Sequence, residues 1–537
     1  MTKEIWVADC ETAPFGDNDW QHLCDGDIPL ARFPFIWGAY NGCEYHEFNS
    51  TEEFLKFCDT LGNVIMYAHN GGKFDWFFLL DELEPWEPLM VISGRLAKFK
   101  IGEVEFRDSY NILPMPLSAW EKDEFDYTLL GKDKRDLPQN RIKIQKYLRS
   151  DCVHLYHIVS EYIERYGVNL TQAGTALKVW QKLCQEKAPK TDKTFYEEIA
   201  LFYYGGRVEC FKTGIIDQPF KVIDINSAYP FAMKHRHPYG EARLVTNTLP
   251  NSRTYTERCF ISVCGVSRGA FPYREKTGLS FPNDNLRRTY HVTGWEFLAA
   301  IETHSLIDWE ITQVIQFSES IRFDDYIDHF YQMKTEAKEN DDKAGYIFSK
   351  LFLNSLYGKF GANPDNYNEY TIVPPRYIEA AECDGYGYCA ELGPWALCSK
   401  PLEEHKARYY NVAVAASITG FVRAYLWRAI NECKEVLYCD TDSIACIDTG
   451  TLELDKTQLG AWDVEAHCDH GGIAGKKLYA FHTRDGQWKT ASKGVRLSAK
   501  EILEVAKGGT VEYIPQNPSF SLKRGIKFVS RKIQKSA

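Results

Sequence analysis

Apolar runs that stop at carboxylates recur along this 537-residue chain. Ile5 to Ala8 leads into Asp9-Cys10-Glu11-Thr12, Val64 to Ala68 into His69-Asn70-Gly71-Gly72, and Val222-Ile223 into Asp224. Runs this short, bounded by polar residues, read as buried strands. The densest case is Val436-Leu437-Tyr438, then Asp440-Thr441-Asp442-Ser443, then Ile444 to Ile447. Apolar arms around a short polar break predict a tight β-hairpin. Residues i and i+2 of a strand face one way, which aims Asp9 with Glu11 and Asp440 with Asp442. Carboxylates that close repel each other and hold protons to higher pH unless a cation joins them. A hard divalent ion such as Mg²⁺ is the natural partner. An Asp-Thr-Asp in isolation is read more simply as a polar turn with solvated aspartates.

Helical spacing follows several of these runs. Phe74 and Asp75 open an aromatic and leucine helix at Trp76 to Leu80, and Asp75 equally suits a helix N-terminus. Arg141 to Ile163 predicts a long helix with Tyr147 and Asp151 on one face at i, i+4. Lys350 to Gly358 is helical and lines up Lys350, Asn354 and Tyr357. That face suits a nucleoside triphosphate; the plainer alternative is an amphipathic helix with a mixed edge. Lys338 shares the side of Lys350 if the helix runs on through Gly345. Tyr203-Tyr204-Gly205-Gly206-Arg207 reads as a turn whose glycines let backbone N–H groups approach a phosphate. Pro230 ends the strand pattern after Asp224 and favours a turn. Residues 362–404, rich in Pro, Gly and Tyr and without helical period, read as a long loop, of a kind that is either functional or disordered.

Composition narrows the picture. The length fits two to four domains, and 44% hydrophobic with 14% aromatic residues indicates packed globular cores. A net charge of −11 excludes a uniformly basic nucleic-acid binder. Yet Lys493 to Ala537 holds ten Lys/Arg against three Asp/Glu, a basic end that suits a polyanion as well as a solvated surface. Sixteen cysteines without a Cys-x-x-Cys pair argue against zinc and fit reduced thiols in a cytoplasm. No run is long enough to cross a bilayer, and the N-terminus has no secretory pattern.

In order, Asp9-x-Glu11, Asn70-x-x-x-Phe74-Asp75 and Tyr147-x-x-x-Asp151 resemble the three motifs of DEDD-type proofreading exonucleases. Asp224 to Pro230, Lys350 to Gly358, Tyr438 to Ser443 and Lys477-Leu478-Tyr479 resemble motifs A, B, C and Lys-x-Tyr of family B DNA polymerases. The run from Lys350 to Phe360 with Asn363-Pro364-Asp365, together with Tyr203-x-Gly205-Gly206, is similar to the protein-primed branch, the compact replicases of phages with linear genomes. About 120 residues separate motifs A and B and about 80 separate B and C, matching that branch's two insertions. Ala228 stands where leucine is common in motif A. One extra residue lies between Asn70 and Phe74.

The resemblance implies an α/β (multidomain α+β) chain. Its parts are an RNase-H-like 3′-5′ exonuclease (1–168), palm (169–239 and 405–495), terminal-protein insertion (240–325), fingers (326–361), strand-displacement insertion (362–404) and thumb (496–537). It implies two Mg²⁺ or Mn²⁺ per active site, on Asp224 and Asp442, with Asp440 adjacent, and on Asp9, Glu11, Asp75 and Asp151. Tyr147 would orient the attacking water and Lys132 would lie near the scissile phosphate. Tyr229, Lys338, Lys350, Asn354 and Tyr357 would bind the dNTP. DNA contacts would fall to Thr12, Asn70, Phe74, Ser109, Tyr203, Gly205, Gly206, Ser227, Gly358, Thr441, Lys477 and Tyr479. Implied partners are primer-template DNA, dNTPs and a terminal protein as primer, for a monomer in the host-cell cytoplasm with no membrane. Rival readings are a primer-independent family B polymerase, a stand-alone DNA-processing nuclease, and a DNA-end-binding protein with dead sites.

Overall fold

The computed structural model describes residues 3–185, 187, 191–245, 247–250, 254–403 and 410–535. Its first sheet grows from β1 (Ile5–Glu11). On one side lie β2 (Ile36–Tyr40) and β3 (Tyr45–Phe48), antiparallel; on the other lie β4 (Ile65–Ala68) and β7 (Val104–Asp108), parallel. This is the strand order of an RNase-H-like domain. Beyond β7 the sheet continues through β6 (Arg95–Ile101) and β5 (Pro88–Ile92). Both faces of β1 are covered, which is why its run is apolar throughout. Val7 packs under Leu155 and Val159 of the helix Pro138–Tyr166, while Trp6 and Ala8 pack with Trp76 to Leu80 on the opposite face. Asp9 and Glu11 continue the Val7 side, so they meet the helix that carries Asp151. The helix starts with Pro138, whose missing N–H costs nothing there, and ends at Gly167 with φ of 75°.

The second sheet is antiparallel: β8 (Val208–Cys210), β9 (Gly214–Ile216) and β10 (Phe220–Ile225) join strands from much later in the chain. Between come β11 (His237–Val245), β12 (Cys259–Ser267), the hairpin β13 (Tyr273–Glu275) and β14 (Gly278–Ser280), β15 (Arg287–Thr293) and β16 (Leu306–Ile321). β11, β16, β12 and β15 form a separate sheet in that order, whose first strand starts at His237. Two antiparallel helices follow, Asp324–Glu339 and Lys343–Phe360.

Residues 362–403 are not a loop. They form β17 (Asn368–Val373), a short helix (Ile378–Cys383), β18 (Gly387–Leu392) and β19 (Trp395–Pro401). β17 pairs with β5 through Tyr370↔Leu89 and Thr371↔Pro88, making ten strands of the first sheet. The Trp395 indole donates to the Leu80 carbonyl at 2.8 Å, and the Trp86 N–H donates to Ile372 at 2.8 Å. The expected boundary at 404/405 lies outside the described residues.

The helix Val412–Glu432 is buried along nearly its whole length, and backs the second sheet, completed by β20 (Lys434–Asp440), β21 (Ser443–Asp448), β22 (Trp462–Gly475), β23 (Leu478–Thr483) and β24 (Trp488–Ser492). The order is β24-β23-β22-β10-β21-β20-β8. The C-terminal region holds the helix Ala499–Ala506 and two hairpins, β25 (Thr510–Tyr513) with β28 (Arg531–Gln534), and β26 (Ser519–Ser521) with β27 (Gly525–Lys527). The second hairpin reaches the first domain. Phe520 contacts Trp20, Phe74 and Phe77, and Leu522 and Ile526 bury in the same core. Each such aliphatic side chain contributes about 1.5–3 kcal/mol on burial.

Candidate active sites

In the first domain β1 presents Asp9 and Glu11, the turn after β4 presents Asp75, and the long helix presents Asp151. All four line one cleft of about 600 Å³. Asp75 is buried and accepts from the Cys10 N–H at 3.3 Å. It opens the expected helix, which is of the 3-10 type (Asp75–Glu82). The carboxylates raise each other's proton affinity. Burial first, then the charges of Asp75, Asp151 and Glu11, hold Asp9 well above the usual range. Glu11 is pushed to about 8, chiefly by burial and Asp151, and Asp75 to about 7 by burial. Asp151 Oδ1 is buried with no hydrogen-bond partner. Buried, mutually repelling oxygens with an unpartnered lone pair form a donor set that suits hard divalent cations.

The lysine here is Lys122, not Lys132. Lys122 Nζ lies 3.3 Å from Asp151 Oδ2 and counters the charge at Asp9 and Glu11. Lys132 points away, in an exposed ion pair with Asp19 at 2.7 Å. Tyr147 sits one turn before Asp151, stacked on Phe125 at 4.3 Å, its hydroxyl 3.0 Å from that of Tyr127. Thr12, Asn70 and Phe74 line the same cleft. Asn70 is left-handed (φ 64°) and starts the 3-10 turn Gly71–Lys73, which absorbs the extra residue before Phe74. Ser109 is a correction. It is fully buried, donates to the Ala68 carbonyl at 3.2 Å and is bonded by His69, so its hydroxyl is committed inside the domain and not exposed on the cleft. Its neighbour Tyr110 lines the cleft instead, under the Arg95 guanidinium at 4.3 Å.

In the second sheet β10 runs between β21 and β22, with Asp224 opposite Ser443 on one side and Asp463 on the other. The predicted hairpin forms: Asp440 pairs with Ser443 and Thr441 takes φ of 62°. The Ile225 N–H donates to the Asp442 carbonyl at 2.9 Å, fastening the two aspartate-bearing segments together. Burial and then the Asp442 charge push Asp224 to about 7; burial, with Asp440 and Glu465, pushes Asp442 to about 6. Asp440 is already partnered. Lys477 Nζ donates to both its oxygens at 2.6 and 2.8 Å, and the Thr441 and Tyr438 hydroxyls add bonds at 3.0 and 3.3 Å. Of the hairpin pair, Asp442 is the one without a lysine on its oxygens, and its charge acts on Asp224. Glu465, paired with Lys489, was missed; the alternation Asp463-Val464-Glu465-Ala466-His467 was the available signal.

Above these carboxylates, Tyr229 and Tyr357 stack with centroids 4.4 Å apart and planes 2° from parallel. Tyr229 belongs to the short helix Ala228–Met233, which Pro230 joins in its first turn, where a missing N–H is tolerated. Ser227 precedes it at φ of 55°. Lys350, Asn354 and Gly358 are exposed along the Lys343–Phe360 helix, and a Cβ on Gly358 would meet open space. The helix is not continuous to Lys338: left-handed Asp341 (φ 55°) breaks the chain. The hairpin of helices still gathers charge, because Lys334, half-buried, is held below its usual range by burial and by Lys350 and Lys338.

The Tyr203–Arg207 segment is neither a hydrogen-bonded turn nor a strand. A Cβ on Gly206 would come 2.8 Å from the Thr441 side chain, and the Thr441 N–H donates to the Arg207 carbonyl at 2.6 Å. Glycine thus serves close packing on the aspartate hairpin. Tyr204 and Gly205 offer their carbonyls to Arg423 at 2.7 and 2.8 Å, and Arg423 pairs with Glu296 at 2.8 Å, both residues buried. Lys477 lies beside Gly206 in a small cleft with Lys476 and Lys493, while Tyr479 rests on Phe481 at 4.3 Å.

Residues 120–386 match the sequence profile of the family described as DNA polymerase type B, organellar and viral. The chain is 38% identical over 567 residues to the DNA-directed DNA polymerase of Enterobacteria phage PRD1, covering 99% of this chain and 98% of that one. It is 25% identical over 496 residues to the DNA polymerase of Bacillus phage phi29, covering 81% of each. Among solved structures, phi29 DNA polymerase complexed with primer-template DNA superposes with a TM-score of 0.76 at 18% identity, over 99% of this chain and 100% of that one.

Proposed function

The chain belongs to the organellar and viral type B DNA polymerases, and on that premise we propose that it replicates a linear genome from a protein primer, displaces the strand ahead and proofreads in its first domain. The observation that carries this reading is Asp224 facing Asp442 beneath the Tyr229–Tyr357 stack, beside the lysines of the helical hairpin. Related structures hold primer-template DNA and incoming nucleotide in this fold.

Two Mg²⁺ or Mn²⁺ would be held by Asp224 and Asp442, and two by Asp9, Glu11, Asp75 and Asp151. When bound, such ions activate the attacking oxygen and neutralise charge on the leaving one. The side chains do the rest. Lys350, Lys338 and Lys334 bind the triphosphate as point charges. Tyr229 crowds the sugar 2′ position, and Tyr357 holds its ring in place. Lys477 keeps Asp440 from competing with Asp442 and meets the primer end. In the first domain Tyr147 orients water and Lys122 faces the phosphate. The inserted unit from His237 docks a terminal protein, whose hydroxyl replaces the primer 3′-hydroxyl, and residues 362–404 guide strand displacement. The enzyme acts as a monomer in the host cell; no described helix is long and apolar enough to cross a membrane.

Primer extension with and without the purified terminal protein tests the reading. Covalent labelling of that protein by radioactive dNTP supports it. Unprimed synthesis in its absence would place the chain with the primer-independent polymerases.

A further inference from the structure

Far down β22 from its catalytic end, two imidazoles converge on one carboxylate. His470 on β22 and His482 on β23 are direct cross-strand partners, their rings 4.6 Å apart. Their Nδ1 atoms lie 2.7 and 2.8 Å from the same oxygen of Asp469, Oδ1. One ligand atom from each of the three residues falls within 4.8 Å of the others. Adjacent residues of a regular strand face opposite ways, so Asp469 and His470 should not share a site. They do because the strand bulges here: the register runs from Cys468↔Thr483 to His470↔His482, leaving Asp469 unpaired. Bulges re-aim side chains in this manner. Trp488, opposite His482 on β24, closes one flank with its ring 4.9 Å from that of His482.

We propose that Asp469, His470 and His482 bind a first-row transition metal such as Zn²⁺, separate from the two carboxylate clusters. Two imidazole nitrogens and one carboxylate oxygen are a borderline donor set, which favours Zn²⁺ or its neighbours over Mg²⁺. The metal takes the Nδ1 lone pair of each neutral imidazole, whose single proton then sits on Nε2, and only a doubly protonated ring gives up a proton on binding. With three protein ligands a position stays open to water. Spanning β22 and β23, the ion staples two neighbouring strands, the first of which carries Asp463 and Glu465 nearer its start.

The test uses the full chain, stripped of metal and equilibrated with Zn²⁺ in excess Mg²⁺. Elemental analysis should find one more Zn²⁺ per chain in the wild type than in His470→Ala/His482→Ala. His482→Gln, which keeps size and polarity, should lose the same equivalent, and circular dichroism identifies any variant that fails to fold. X-ray absorption at the zinc edge should show imidazole scattering in the wild type that both variants lack. Both should extend primers in Mg²⁺ at the wild-type rate. Equal zinc content in wild type and folded variants, or wild-type zinc without imidazole scattering, overturns the proposal and leaves two histidines sharing a carboxylate by hydrogen bonds alone.

Discussion

Lys477 Nζ lies 2.6 and 2.8 Å from the two carboxylate oxygens of Asp440. The two aspartates of one hairpin are therefore differently partnered. Asp440 is held by a lysine, and Asp442 faces Asp224. Losing a group that orients a metal-site carboxylate typically costs 10–100-fold. Lys477→Met should lower kcat by about that much, and Asp440→Asn by less. The double variant should be no worse than Lys477→Met alone, because both changes break one contact. Additivity within about 0.5 kcal/mol would show the two residues act independently.

Replacing Tyr229 by Val should let ribonucleotides in. The ring is fixed by its stack on Tyr357, so its edge is a rigid wall. Steric pockets discriminate by about 1–3 kcal/mol per methylene-sized change, and the dNTP-to-rNTP ratio of kcat/KM should fall by roughly 10–200-fold. Tyr357→Leu should give part of the same loss by freeing Tyr229. A ratio unchanged in both variants places the gate elsewhere.

The raised carboxyls set a pH signature. Asp224 at about 7 and Asp442 at about 6 hold protons in the folded chain where the unfolded chain, near 3.8, has lost them. Folding then binds protons, so this stability is full below pH 4 and is lost as pH rises through 6 to 7. In chelator, the wild type should lose Tm relative to Asp224→Asn/Asp442→Asn between pH 5 and about 8. Mg²⁺ should restore more at pH 8 than at pH 6, since protons compete for the same oxygens. Parallel pH profiles for wild type and variant would contradict the assigned burial of these groups.

Trp395 ties β19 to the first domain through Leu80. Trp395→Ala should loosen residues 362–404 from the edge of the first sheet. Extension on an open single strand should persist, while synthesis through a duplex and product length per binding event fall several-fold. Single-cycle trap assays compare the two templates. Equal strand displacement by variant and wild type would remove this unit from that role.

The carboxylates were legible because strand period fixes their direction: Val7, Asp9 and Glu11 must share a face, and so must Tyr147 and Asp151 on a helix. The hairpin at Thr441 was legible for the same reason. Lys122 was not, because residues 109–137 lack long regular structure and nothing local says which lysine turns inward. Ser109 failed similarly, its burial depending on His69, forty residues away. Residues 362–403 read as a loop because Pro374 and Pro375 mask short strands, and Tyr370 pairs with Leu89 of β5, 281 positions earlier in the sequence. Lys338 fell beside Lys350 by a helical hairpin rather than by helical period.

The central claim is that the two carboxylate clusters are two active sites on one chain. A 5′-labelled primer-template incubated in Mg²⁺, with and without dNTPs, tests it in a single gel series. Asp442→Asn should cut extension by about 10³-fold, the upper cost of removing one preorganised electrostatic group, while shortening the primer at the wild-type rate. Asp9→Ala/Glu11→Ala should extend normally and leave the primer intact without dNTPs. Extension by Asp442→Asn at the wild-type rate, or primer decay persisting in Asp9→Ala/Glu11→Ala, would contradict the account.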